Sequence, residues 1–317
     1  MPNKKTILDR LQPVTNYLAY LVVRLFVCVI QATRIETGQR VAHLLAWLFG
    51  DVLKVRHKVV MENLRHAFPE LHERQHRQIM KQMWQHLFLL ILEVAHAPRK
   101  IHETNWREYV KLDNDATLVN LLLEDRPVIL VTAHFGNFEV SGYLLGLLGF
   151  PTYTIARTLD NPHIDRFLGS FRGKTGQYII SKNGGFDEIL QVLANNGTMT
   201  LLADQYAGTK GCWVEFFGRP ASAHKAIALL SLDNDATVVT ASGTRRDEPL
   251  HFELKVTATA DPRDTSGDLG TIKSLTQWYT TRLEEMIREK PGQYWWLHRR
   301  WKDRRKKRKA KKCQEAA

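Results

Sequence analysis

Residues 127–139 read PVILVTAHFGNFE, and the change of rhythm inside that stretch decides the fold. Pro127–Ala133 is a short continuous apolar run rich in β-branched residues, the pattern of a strand covered on both faces. His134 follows at once. Gly136 and Asn137 favour a tight turn, and an apolar helical segment begins at Phe138. Strand, turn and helix in so few residues open a parallel α/β unit.

The same alternation continues downstream. β-rich runs at Thr152–Arg157, Gln177–Ser181, Thr198–Ala203 and Ala236–Ala241 are spaced by helical segments at about Phe138–Gly149, Pro162–Arg172, Gly185–Asn195 and Ala223–Leu232. The pattern predicts an α/β fold with a mostly parallel central sheet flanked by helices. His251–Thr257 alternates and reads as an antiparallel edge strand, and Thr271–Glu289 as a closing helix stopped by Pro291-Gly292. Upstream, Ile79, Met80, Met83, Trp84, Leu87, Phe88 and Ile91 recur at helical spacing, so a long helix buried on one face precedes the sheet.

Composition bounds the class. The chain has 317 residues, 44% hydrophobic and 25% charged, with a mean hydropathy of -0.30. These values exclude a disordered tail and a multi-span transporter. Cys28, Cys212 and Cys313 are widely separated, which excludes a disulfide framework and points to a reducing compartment. The net charge of +12 is uneven: residues 298–317 carry eleven Lys/Arg against Asp303 and Glu315, and residues 1–60 carry nine against three acidic groups. Cationic ends on a near-neutral body suit an anionic surface better than a nucleic-acid groove. No nucleic-acid partner is expected.

Val14–Thr33 (VTNYLAYLVVRLFVCVIQAT) has the length of a membrane span with one charge, Arg24, near its middle. Val41–Val55 is apolar but too short to cross. No A-x-A cleavage site follows the first run. The segment is expected to be an uncleaved anchor or an interfacial hairpin, with a buried pair of core helices as the alternative. Three parts follow: a membrane-associated helical segment at 1–60, an α/β domain at 61–302, and a basic tail at 303–317 that composition predicts to be disordered.

Open α/β sheets place chemistry beyond the carboxyl ends of their strands, which directs attention to His134. Glu139 lies five residues on, in the first turn of the following helix, within expected reach of the imidazole. A carboxylate beside a histidine prepares a general base, and the helix N-terminus adds donors where an oxyanion can sit. HFGNFE has no Ser or Cys, so the nucleophile is expected to be a hydroxyl of the substrate. A structural histidine is the plain alternative. No H-E-x-x-H is present and no second His stands at ligand spacing, so no metal is expected. Asp204 also stands at a strand end, after TMTLLA.

HFGNFE resembles the H-x4-D/E motif of glycerolipid acyltransferases, and more specifically that of the late lipid A biosynthesis acyltransferases. Four further blocks carry the resemblance in order: Asn63–Leu71 (NLRHAFPEL); Arg157, Asn161-Pro162 and Arg172-Gly173; Ala203-Asp204-Gln205 with Gly208 and Val214–Gly218 (VEFFG); and Gln293–Lys302 (QYWWLHRRWK). Residues 221–228, ASAHKAIA, depart from the Thr and Gly usual there, so His224 and Lys225 are expected to alter how a substrate is held.

The resemblance implies acyl transfer to an alcohol with His134 as base, Glu139 as its orienting carboxylate and no covalent acyl-enzyme. It implies an acyl-(acyl carrier protein) donor, with acyl-CoA the second choice, and no cofactor. It also implies a phosphorylated glycolipid acceptor and a place on the cytoplasmic face of a bacterial inner membrane. Asn137, Arg157, Asn161, Arg172, Asp204, Gln205, His298 and Arg299 become candidate substrate contacts, the two arginines at 157 and 172 for phosphate. The Trp295–Trp301 cluster fits either a headgroup-level belt or an internal closing motif. Two other readings remain: transfer to lysophospholipid or glycerol phosphate, and a silent membrane protein that binds lipid or carrier protein.

Overall fold

The strand Val128–Thr132 shows why this sequence folds as it does. Val128 to Val131 are apolar at odd and even positions alike, so neither face of the strand can be left to water. Val128 and Leu130 pack with Val239 and Val256 under one helical layer. Ile129 and Val131 join the main core on the other face. A strand with two apolar faces requires helices on both sides.

The computed structural model describes residues 7–264 and 267–302. Helices come first: α1 (Ile7–Ala32), α2 (Ile35–Trp47), a π-turn at Leu48–Val52, α3 (His57–Ala67) and α4 (Glu73–Lys100). A short α5 (Trp106–Tyr109), β1 (Val110–Asp113) and α6 (Asp115–Leu123) lead to β2 (Val128–Thr132) and α7 (Phe138–Leu147). Then follow β3 (Thr152–Ala156), α8 (Pro162–Gly173), β4 (Gln177–Ser181), α9 (Phe186–Ala194) and β5 (Thr198–Leu202). The chain continues through β6 (Cys212–Phe216), β7 (Arg219–Ala223), α10 (Ala226–Asp233), β8 (Thr237–Arg245), β9 (Phe252–Ala260) and α11 (Ile272–Glu289).

Among the described residues seven strands form one sheet in the order β1-β9-β8-β2-β5-β3-β4. Every neighbouring pair is parallel except β8–β9. β6 and β7 form a separate antiparallel hairpin. Leu118, Leu121, Leu122 and Leu145 from α6 and α7 cover one face. Ile227, Leu275, Tyr279, Leu283 and Met286 from α10 and α11, with Met61 and Leu64 of α3 and Met80 and Met83 of α4, fill the other.

The α/β class, the five parallel strands and their helices are as expected. Three details differ. β9 is antiparallel to β8 but not at the edge, because β1 pairs along its outer side. Residues 212–223, for which the alternating pattern predicts no strand, form the β6–β7 hairpin, in which Pro220 faces Glu215 on a two-stranded ribbon that tolerates its missing N–H. The division expected at residue 60 falls inside α3 (His57–Ala67), whose Val60 and Met61 both join the main core. The tail at 303–317 lies outside the described residues.

The first two helices are not a buried pair. Gln12–Ala32 within α1 is long and apolar enough to cross a membrane, with a mean hydropathy of 1.7, and none of it is buried. Leu18, Val22, Leu25 and Phe26 are all more than half exposed. The central charge has a partner: Arg24 sits 5.0 Å over the Phe167 ring of α8, a cation–π contact that eases its place in an apolar helix. Tyr17 and Tyr20 pack on His163 of the same helix. α2 instead buries Ala42 and Ala46, with Ala42 clustered against Leu89 and Leu92 of α4.

An aspartate near the centre of an apolar span costs about 3 kcal/mol of insertion. Leu25→Asp is therefore expected to move the protein from the carbonate-resistant membrane fraction into the supernatant, leaving the thermal unfolding of the α/β body unchanged. Full retention in the pellet would contradict an anchoring role for α1.

Candidate active site

Parallel pairing assembles the site. Thr132 at the end of β2 is in register with Leu202 at the end of β5, and the Ala203 amide donates to the Thr132 carbonyl at 2.9 Å. His134 and Asp204 each stand two residues beyond those ends, so the register sets them side by side. His134 Nδ1 lies 2.9 Å from Asp204 Oδ1. The imidazole is 15% exposed and the carboxylate 2%.

Burial alone would push the His134 pKa down, but the Asp204 charge, its hydrogen bond and the Glu139 charge outweigh burial and hold it above the ordinary value. Burial would likewise raise the Asp204 carboxyl, yet the His134 charge and hydrogen bond leave it below its ordinary value. Both directions describe an Nδ1–H donating to an ionised carboxylate. Nε2 then carries the free lone pair, and the Gln205 amide nitrogen stands 3.3 Å from it. Edge-on contacts from Phe138 and Trp295, with ring centroids at 5.2 and 5.3 Å, fix the ring plane.

The turn that carries His134 is pinned from behind. Gly136 has a left-handed backbone, φ 61°, and a side chain there would strike the Gly243 carbonyl. That carbonyl accepts from the Asn137 amide at 2.8 Å, while the Gly136 amide donates to Gln293 O and the Trp295 amide to His134 O, both at 3.0 Å. Beneath lies a buried polar cluster. Glu93 pairs with Arg245 and accepts from Asn137 Nδ2 at 2.8 Å. Arg245 also reaches His86 Nδ1 at 2.9 Å, and His86 Nε2 meets the Gly136 carbonyl at 3.0 Å. Burial first, then the charge of Arg245, pushes the His86 pKa to about 3, so the ring is neutral and Nε2–H donates to Gly136.

The expected residues divide. His134, Asp204, Gln205 and His298 line one cleft of about 330 Å3 with Arg56, Trp295 and Leu297. His298 Nε2 accepts from the Tyr206 amide at 3.1 Å. Glu139 does not contact His134 as expected. Its carboxylate receives Arg172 Nε at 2.9 Å and a second guanidinium nitrogen at 2.5 Å, because the first turn of α7 faces α8; it acts on His134 through its charge alone.

Asn137 is not a substrate contact. It is fully buried, capping α7 through Val140 N at 3.1 Å and bound to Glu93. Asn161 is likewise a turn residue: it caps α8 at His163 and Ile164 and donates to Asn16 O of α1 at 2.8 Å. Arg157 and Arg172 share a separate cavity of about 270 Å3 beyond β3 and β4, where Arg172 is engaged by Glu139 and Arg157 pairs with Asp160 in solvent. Arg299 is exposed and outside the cleft. Its neighbour Arg300, not selected from sequence, is the buried one and donates to Ser222 O. Trp296 is 1% exposed and Leu297 and Trp301 pack against the main core, so this part of QYWWLHRRWK closes the core, while Trp295 stays exposed. His224 and Lys225 lie between β7 and α10, outside this cleft.

Sequence reasoning missed Arg56 and Trp295 as cleft residues, and the role of Asn63. Asn63 Nδ2 donates to the Trp296 and His298 carbonyls at 2.8 and 2.9 Å, tying the first quoted block to the last.

The two carboxylates can be separated by pH. Asp204→Asn removes the larger charge and the hydrogen bond that support the His134 proton, so the acid limb of kcat/KM should move to lower pH and kcat should fall at least about 100-fold. Glu139→Gln should move that limb in the same direction by less. A larger shift in the Glu139 variant would reverse the assignment.

Residues 4–303 match the family described as bacterial lipid A biosynthesis acyltransferase. The chain is 23% identical over 258 residues to a lipid A biosynthesis lauroyltransferase of Escherichia coli K12, covering 80% of this chain and 81% of that one. It is 23% identical to a lipid A biosynthesis palmitoleoyltransferase of the same organism, covering 80% of each chain. A lipid A biosynthesis acyltransferase of Haemophilus influenzae is 22% identical over 84% of each chain. The solved 1-acyl-sn-glycerophosphate acyltransferase of Thermotoga maritima covers 81% of this chain and 97% of its own at 12% identity and a TM-score of 0.39, a likeness too slight to carry an argument. With a match that runs from before α1 to beyond the last described residue, this chain is an acyltransferase and belongs to the bacterial lipid A biosynthesis acyltransferase family.

Proposed function

We propose that this chain transfers a fatty acyl group from the thioester of acyl carrier protein to a hydroxyl of a lipid A precursor, with His134 as general base. One observation carries the reading. His134 Nε2 stands in a cleft whose lining, Arg56, Asp204, Gln205, Trp295, Leu297 and His298 beside it, holds no hydroxyl or thiol side chain. A basic nitrogen without a protein nucleophile activates a nucleophile that the substrate brings.

The acceptor hydroxyl displaces the Gln205 amide at Nε2 and gives up its proton as its oxygen attacks the thioester carbonyl. Asp204 stabilises the imidazolium that forms. The amides of Phe138 and Glu139 open α7, and the positive end of that helix favours the oxyanion. When the intermediate collapses, the C–S bond breaks, the ester remains on the acceptor, and the imidazolium returns its proton to the departing thiolate. No metal or cofactor takes part in these steps. Glu139, held by Arg172, adds negative charge that supports the imidazolium.

An apolar slot lined by Leu118, Leu130, Phe138, Leu145, Leu148 and Phe150 runs between the sheet and α6–α7. It receives the acyl chain. At about 80 Å3 it is narrow, so α6 or α7 must shift to admit a long chain. α1 holds the enzyme to the membrane that carries the acceptor, on its cytoplasmic side where the carrier protein is found.

The test gives the purified protein carrier-linked chains of several lengths with a lipid A precursor, a lysophospholipid or glycerol phosphate, and reads product mass. The expected result is one acyl chain added to the lipid A precursor, with His134→Ala at least about 100-fold slower. Transfer to glycerol phosphate in preference, or near-normal transfer by His134→Ala, would overturn the proposal.

A further inference from the structure

The arginines that sequence reading set aside for phosphate are engaged elsewhere, and an arginine it did not select occupies the catalytic cleft. Arg56 lies at an elbow between the π-turn and α3, where Lys54 and Arg56 both take left-handed backbones, φ 50° and 51°. Two such residues flanking Val55 reverse the chain sharply. The elbow is anchored, since one Arg56 guanidinium nitrogen donates to the Leu297 carbonyl at 2.9 Å and Asn63 binds the carbonyls on either side of it. The guanidinium thus joins His134, Gln205 and His298 in the cleft wall.

No carboxylate among the described residues pairs with it. The one acid in the cleft, Asp204, is committed to His134. With one nitrogen held by Leu297 O, the remaining donors of a planar, permanently charged group are available to the cleft that the base also lines. Such a fork matches the two oxygens of a phosphate ester.

We propose that Arg56 is the phosphate-binding residue of the cleft, positioning a phosphorylated substrate so that the acceptor hydroxyl and the thioester meet at His134 Nε2. The inference rests on the acyl-transfer reading above. Two substrates bring a phosphate ester, the glycolipid acceptor and the phosphopantetheine arm of the donor, and the same guanidinium chemistry serves either.

Steady-state kinetics with matched substrate pairs decides. One arm compares a phosphorylated lipid A precursor with its phosphatase-treated form; the other compares lauroyl-4′-phosphopantetheine with lauroyl-pantetheine. Wild type should favour the phosphorylated member of one pair. Arg56→Ala should lose that preference, raising KM for the phosphorylated member about 10- to 100-fold with the larger part of the loss in KM. Arg56→Lys, which keeps charge without the fork, should fall between. The arm that responds names the source of the phosphate.

Wild type indifferent to phosphate in both arms, or Arg56→Ala retaining full discrimination, overturns the proposal. So does an equal fall in kcat for every substrate with a lowered melting temperature, which would mark a purely structural elbow. His134→Ala run alongside separates the two claims. If it transfers normally, the acyl-transfer reading fails; if it is inactive while Arg56→Ala still discriminates, only the assignment of Arg56 fails.

Discussion

The chemistry of this protein depends on strand register. A parallel ladder from Val128–Thr198 to Thr132–Leu202 leaves His134 and Asp204 level with each other at the carboxyl edge of the sheet. A slip of one residue would turn both side chains to opposite faces. The His134–Asp204 contact is therefore specified by the apolar residues of β2 and β5, because those bury only in one alignment. Core packing and site geometry are here the same constraint.

Buried polar contacts behind the site keep the His134 turn from relaxing. Gly136 is held in a conformation that suits glycine, its carbonyl is fixed by a neutral His86, and Asn137 is fixed by Glu93. Glu93 and Arg245 are an ion pair without solvent, and breaking such a pair by removing one partner costs about 3–5 kcal/mol. The cluster carries no substrate. Its effect is to make the backbone beneath His134 rigid, which in the proposed mechanism lets Nε2 meet a hydroxyl without first reorganising.

Much of this was legible in sequence. Periodicity located the parallel strands, and the positions of His134 and Asp204 after apolar runs marked both as strand-end residues. Their contact was not legible, because strand order is not local: β5 inserts between β2 and β3, and nothing in the intervening residues announces it. Sequence distance favoured Glu139, whose side chain is aimed instead at α8 and Arg172. Asn137 and Asn161 carried a readable signal, each standing at the N-terminus of a helix, where Asn caps before it binds. Arg56 carried none: it follows an apolar run, and only the fold brings α3 to the residues near 297. The Trp-rich block was ambiguous because indoles suit both a headgroup belt and a core; the three carbonyls held by Asn63 and Arg56 decide for the core.

The central claim is that Asp204 fixes the tautomer of His134. Nitrogen-15 NMR of the protein labelled at histidine and held in detergent micelles, at a pH above the His134 titration, measures this directly. The account predicts a protonated Nδ1 and a bare Nε2 for His134. A proton on Nε2 with Nδ1 bare would contradict it, because the base would then have no lone pair facing the cleft.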